Sequence, residues 1–297
     1  MRNIKKIIIT ALLLVVSLDV FSQSVVLQVV SKKITKKFVY QAGDKLVVNG
    51  KKAEVEITTW DKDLIQLEFI VIAKHPDKSV AEADLRKMDY TFEKNYHIIV
   101  LDNSVDKSQG KPSSNLKAKY KLTIPANCPV DLTNYFGKNT IENLSNGVDI
   151  KSEFCEIGIA HLKGLINLSS KFGDIDGEDI NGTVFIDANR SNIRLNQISG
   201  DFDIQAKYGI IKVFADQSVV NMNIKGDKSD VYFYNTGDSS FNFDLATRNG
   251  SIDVGDQSGF QFTEMGQNQK AIFVPSKEIT GMKVKINVSF GDIRIMQ

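Results

Sequence analysis

The chain is poor in the residues that build most active sites. Its 297 residues include three histidines and two cysteines, too few for a histidine-rich metal centre or a disulfide framework. Five prolines leave no proline-rich linker. A formal net charge of +1 excludes a global bias toward nucleic acid or an anionic membrane. Beyond the N-terminus, no apolar run reaches the ~20 residues that a spanning helix needs, so no transmembrane segment is expected in the mature chain. Phosphate loops, dinucleotide fingerprints, Ser-His or Cys-His nucleophile motifs and Cys-x-x-Cys pairs are all missing. No catalytic, cofactor-binding or metal-binding residue is therefore assigned, and the chain reads as a non-enzyme. What is present is 42% hydrophobic residues against 25% charged, enough to bury a core.

The first 22 residues have three parts. Arg2, Lys5 and Lys6 give a positive start, Ile7 to Val16 is an apolar run, and Ser17 to Ser22 leads to a cut before Gln23. This is the pattern of a secretory signal peptide. It predicts export to the periplasm or cell surface. The remainder is asymmetric in charge: residues 24–125 carry +5 and residues 126–297 carry −6. The expected division is a signal peptide (1–22), a β-rich N-terminal cap (23–125) and a repetitive region (126–297).

The repeat begins near residue 130. An aliphatic residue is followed, after three residues, by an aromatic or its substitute, a small residue, one polar residue and another aliphatic. Leu132–Phe136–Gly137 opens the series. Ile150–Phe154–Cys155–Ile157, Leu168–Phe172–Gly173–Ile175, Ile186–Arg190–Ser191–Ile193 and Ile204–Tyr208–Gly209–Ile211 follow at an even step. Ile224–Lys228–Ser229–Val231, Leu245–Asn249–Gly250–Ile252 and Ile286–Phe290–Gly291–Ile293 come at longer steps. A fixed period near 20 with small residues at its corners signals a repeat architecture. Within each copy the residues alternate, as in Val184, Ile186 and Ala188 against Phe185, Asp187 and Asn189, which is the mark of half-buried strands. The reading is all-β: a parallel β-solenoid, right-handed by the usual crossover rule, with coils of about 18–21 residues stacked ~4.8 Å apart. The small corner residues are expected to be small because a tight corner needs positive φ or a close backbone approach.

The N-terminal region reads as strands at 25–30, 46–48, 55–59, 65–72, 97–101 and 120–124. One helix is expected, with Ser79 and Glu82 as a capping box and Ala81, Leu85, Met88 and Phe92 on one face. Residues 102–114 read as a polar loop.

Three segments carry a resemblance to a known family: Gly43–Val48 ahead of Glu54-Val-Glu-Ile-Thr-Thr-Trp60-Asp-Lys-Asp63, the helix near 80–92, and the closing Ser289-Phe-Gly-Asp-Ile293. The chain resembles adhesin-like β-solenoid proteins of unknown function from Gram-negative cell envelopes, relatives of the auto-transporter adhesin head domain. The resemblance implies an envelope location, a binding role and no catalytic residues. No membrane barrel closes the chain, so it would not export itself.

The candidate chemistry is then weighed residue by residue. Asp174, Asp176, Glu178 and Asp179 invite a calcium reading, but the frame fails at Asp179 and Phe185, where an EF-hand needs glycine and glutamate. A solvated turn is expected instead. Asp187, Arg190 and Asp203 are the residues a polysaccharide-cleaving enzyme would use, yet outward charges on every coil are ordinary. Cys128 and Cys155 are left open between thiols and a disulfide. The sharpest surface feature is the column Phe136, Phe154, Phe172, Arg190 and Tyr208, either a ligand or partner surface or corner packing. The expected partner is a surface glycan or another envelope protein. Residues 256–280 either cover the last coil or leave it open to end-to-end self-association.

Overall fold

The computed structural model describes residues 26–108, 110–215, 220–235, 241–256, 258–275 and 282–296. The segment read as a signal peptide lies outside the described residues. All twenty described strands join one mixed, mostly parallel sheet that does not close into a barrel, with one helix beside it.

The N-terminal region contains β1 (Gln28–Val39), β2 (Lys45–Lys51), β3 (Ala53–Trp60), β4 (Leu64–His75), α1 (Lys78–Leu85), β5 (Met88–Asn95), β6 (Ile98–Val105) and β7 (Asn115–Pro125). Helix α1 differs from the sequence expectation at both ends. Its N-cap is Asp77, whose carboxylate accepts from the Ser79 N–H at 2.7 Å. It ends at Leu85, and Met88 and Phe92 lie on β5. Residues four apart satisfy both a helical and a strand period, and the alternating burial of β5 shows which one operates. Strand β6 likewise runs to Val105, into the stretch read as a loop.

Asp84 ties α1 to the loop ahead of β7. Its buried carboxylate accepts from the Ser114 N–H at 2.7 Å and from Lys87 at 2.9 Å. Burial alone would raise its pKa; these partners outweigh burial and hold it at about 2. A carboxylate with a depressed folded pKa stabilises above its unfolded value and loses that contribution as pH falls through the folded one. Asp84→Asn should therefore be less stable at neutral pH by ~1–3 kcal/mol. The difference should shrink as pH falls from about 3.8 toward about 2. Urea melts across that window check this; a constant difference rules it out.

The repetitive region begins with β8 (Val130–Glu142), β9 (Val148–Lys171), β10 (Ile175–Asn189) and β11 (Ile193–Lys207). Every paired residue of β10 lies opposite the residues one repeat earlier and one repeat later, as in Ile157–Ile175–Ile193. Alternation then stacks like on like. Leu132, Ile150, Leu168, Ile186 and Ile204 form an interior column, each at most 2% exposed. Each such side chain contributes ~1.5–3 kcal/mol by burial. Three left-handed residues bend each turn of chain between Phe136 and Gly200, as with Phe154, His161 and Gly164 in one and Arg190, Gln197 and Gly200 two turns later.

The parallel pairing continues across residue 125. Strands β2 and β3 form a further rung beneath β8, bent at Lys52, with Leu132 opposite Val48 and Asn139 opposite Val55. Strands β6 and β7 lie beneath that. Antiparallel strands finish this end: β5 on β6, β4 on β7 and β1 on β4.

The other end runs out of chain order. It comprises β12 (Ile210–Ala215), β13 (Val220–Asp227), β14 (Asp230–Asn235), β15 (Asn242–Arg248), β16 (Ile252–Asp253), β17 (Gln261–Met265), β18 (Asn268–Phe273), β19 (Lys283–Ser289) and β20 (Ile293–Met296). Strand β19 pairs with β13 on one side and β15 on the other. Strand β20 likewise sits between β14 and β16. The copy containing Ile293 and Ile295 is thus internal, against the expectation that it closes the stack. The hairpin β17–β18 pairs antiparallel with β15 and covers it, so residues from the 256–280 stretch do lie across the end.

Candidate binding surface along the corner column

Phe136, Phe154, Phe172, Arg190 and Tyr208 come together as one column. All five have left-handed backbones, φ between 55° and 62°. The small residue after each does not: Gly137, Gly173 and Gly209 are absent from the positive-φ set. This corrects one of the two reasons considered for small corners. Close approach is what requires glycine here. A Cβ on Gly173 would sit 1.9 Å from the Cys155 carbonyl oxygen, and one on Gly137 would sit 1.8 Å from that of Ala53.

In space this second column alternates: Ala53, Gly137, Cys155, Gly173, Ser191, Gly209, Ser229, Gly291. Each glycine admits the carbonyl of its neighbour on one side. The Ser191 and Ser229 hydroxyls accept the N–H of Gly173 and Gly209, each at 3.3 Å. Cys155 replaces serine in the same series. Both cysteines are free and buried, so no disulfide joins them. Burial pushes the Cys155 thiol up to about 11 and that of Cys128 to about 12, which leaves both protonated and unreactive at neutral pH.

A left-handed residue with a Cβ costs ~1–2 kcal/mol. The side chains recover part of this by stacking. Phe136–Phe154 and Phe154–Phe172 ring centroids are 4.8 Å apart, with interplanar angles of 2° and 4°. The Arg190 guanidinium lies between Phe172 (5.3 Å) and Tyr208 (5.6 Å). Lys228 covers the other side of Tyr208 at 5.1 Å. Stacked aromatic pairs contribute ~0.5–1.5 kcal/mol each, enough to offset much of the strain.

The same geometry decides what a ligand would meet. Both faces of Phe154, Phe172 and Tyr208 are taken by neighbouring rings and cations, and one face of Phe136 by Phe154. Exposure remains at 54%, 45%, 44% and 47% for Phe136, Phe154, Phe172 and Tyr208, and where both faces are stacked it is left to the ring edges. Edges are the positive part of an aromatic quadrupole. With exposed Arg190 and Lys228 in line, the strip offers positive ring edges and two cations, which suits oxygen-rich acceptors.

Sequence reasoning missed one member and the place of another. Lys52 (φ 53°) heads the column one rung before Phe136, and Val48–Lys52–Ala53–Val55 carries the repeat pattern in full. Phe290 lies between Lys228 and Asn249 because β19 is inserted there: its N–H donates to the Arg248 carbonyl, and the Lys228 N–H donates to that of Ser289. A flanking face was also unforeseen. Phe214 and Tyr234 stack at 4.3 Å, Arg194 lies over Phe214, and Lys212 and Arg294 lie over Tyr232.

Of the residues weighed for a polysaccharide-cleaving site, Asp187 and Asp203 line one shallow hollow of about 250 Å³ with Phe185, where Asp203 accepts from Asn223 at 3.1 Å. Arg190 is not in that lining and is held between rings. Asp174 accepts from Asn192 on the next turn, and Asp179 pairs with His161 at 2.7 Å. Among the described residues no three His, Cys, Asp or Glu side chains converge as metal ligands would.

No family model matches the chain, and no curated protein does. Solved structures do. A putative adhesin from Bacteroides fragilis is 11% identical, covering 89% of this chain and 97% of its own, with a TM-score of 0.45. A putative adhesin from Parabacteroides distasonis is 11% identical (90% and 97% covered, TM-score 0.41). A putative cell adhesion protein from Clostridium sporogenes is 16% identical (90% and 100%, TM-score 0.27). At these scores the likeness decides neither fold nor ligand.

Proposed function

We propose that this chain is an exported, non-enzymatic binding protein: a β-solenoid that holds the corner column as a rigid strip for an extended, oxygen-rich polymer such as a surface glycan. The observation that carries this reading is the stack of half-exposed rings at 4.8 Å with cations in line. A polymer laid along it meets the same edge chemistry at every turn of chain, so weak contacts add along the strip. The repeat-long offset between paired strands supports the solenoid reading.

Phe154→Ser and Tyr208→Ser should each lower binding to immobilised polysaccharides by about tenfold or more while circular dichroism stays native. Phe154→Ser should also cost ~1–3 kcal/mol, since it breaks two stacks. Phe185→Ser is the control, being exposed but off the column. If the column variants bind as well as the control, the strip is packing alone. Protease accessibility on intact against lysed cells tests export to the surface.

A second reading, a structural partner of another envelope protein, is favoured by β1. Among the described residues this twelve-residue strand pairs on one side, with β4, and it is largely exposed. Its Lys32, Lys33, Lys36 and Lys37 are the kind of charge that protects an open edge, which weighs against indiscriminate pairing.

A further inference from the structure

We infer that a groove at the C-terminal end of the stack, adjoining the far end of the corner column at Phe290, is a second binding site for a carboxylate-bearing sugar. The groove has a volume of about 660 Å³, within the usual range for small-molecule sites. Five successive strands build it: β13, β19, β15, β18 and β17. One outward row runs Lys225, Asn287, Ala246, Lys270, Thr263, and the next runs Asp227, Ser289, Arg248, Asn268, Met265, with Asp227 beyond the groove's lining at one end. Ala246 supplies a low floor.

The lining is cationic. Lys225, Arg248 and Lys270 face it, and no aspartate or glutamate among the described residues lines it. Neutralisation is incomplete. Lys270 shares Asp244 with Lys285, at 3.5 and 3.7 Å. Glu264 accepts from Gln269 at 3.1 Å. Arg248 rests on the Phe290 ring at 5.9 Å, and among the described residues neither it nor Lys225 has an ion-pair partner. A guanidinium that lacks a carboxylate offers a two-pronged donor to one. The amides of Asn287 and Asn268 and the hydroxyls of Ser289 and Thr263 are spaced around these cations, and these groups suit sugar hydroxyls. A purely inorganic anion would leave them unused. The groove depends on the late insertion of β19, which places Asn287 and Ser289 between Lys225 and Arg248.

The test is calorimetric titration of the mature chain with a galacturonic acid trimer and with a galactose trimer as neutral counterpart. The acidic trimer should bind about tenfold or more tightly, and binding should weaken with added salt. Lys225→Ala with Lys270→Ala should weaken it by a similar factor. Ala246→Leu, which fills the floor without touching charge, should also weaken it. Phe154→Ser should leave it unchanged, which separates this site from the column. The inference is overturned if neither trimer binds, if both bind equally, or if the groove variants keep wild-type affinity. It is also overturned if Phe154→Ser alone abolishes binding, because the column would then be the site.

Discussion

Gly173→Ala should destabilise the chain by on the order of 4 kcal/mol or more, or prevent folding, although it adds one methyl group. The new Cβ would lie 1.9 Å from the Cys155 carbonyl oxygen and 2.5 Å from its carbon. Those atoms are backbone, and Cys155 is held in the ladder against Gly137 on its other side, so relief requires the two turns of chain to separate. Separation would break the ladder between β9 and β10 and the Ile157 N–H bond to the Asp174 carbonyl. Gly158→Ala is the matched control. It lies on the same stack, and its Cβ would meet only the Asn139 carbonyl, at 3.9 Å. That change should be neutral or stabilise by ~0.4–1 kcal/mol through the unfolded chain. Thermal melts of the two variants decide the matter. Similar melting points would mean that corner contact does not set the spacing of the stack.

The sequence revealed the interior because its signal is local and periodic. Ile150, Leu168, Ile186 and Ile204 could be aligned by eye, and the structure puts them in one column. The corner column was legible for the same reason. The left-handed residue at the corner was not. Phe172 and Gly173 are adjacent, and the usual preference of glycine for positive φ points to the wrong one. A contact with the neighbouring turn, invisible in a single copy, forces Gly173 to be glycine and leaves Phe172 to take the strain. The alternation of glycine with Cys155, Ser191 and Ser229 was visible in the letters, but it gains meaning only when rungs are seen in pairs. Helix α1 was overextended because Met88 and Phe92 fit two periods at once. The position of β19 was hidden for a deeper reason. Copies of one repeat are interchangeable in pattern, so order along the chain does not fix order in space.

That insertion predicts the second large effect. A chain ending at residue 281 should lose its C-terminal end as a unit. It would lack Val284, Ile286, Val288, Ile293 and Ile295, all buried, whose burial contributes on the order of 10 kcal/mol as an upper bound. That is comparable to the whole stability of an ordinary domain. Stacked repeats, however, lose stability near the damage. Strand β15 would lose its parallel partner, and the hairpin β17–β18 would lose the strand it covers. Amides of residues 242–273 should exchange within the dead time, while those of 148–207 stay protected. The exposed edge of β13 should also promote association. Ile286→Asp is the milder test. It buries a charge between Ile224 and Leu245 and should release the same amides in an otherwise full-length chain. If 242–273 stays protected in both variants, β15 has moved down onto β13, with Gly250 against Ser229. The inserted strand would then be a spacer rather than a keystone, and the groove that it completes would be the reason for its presence.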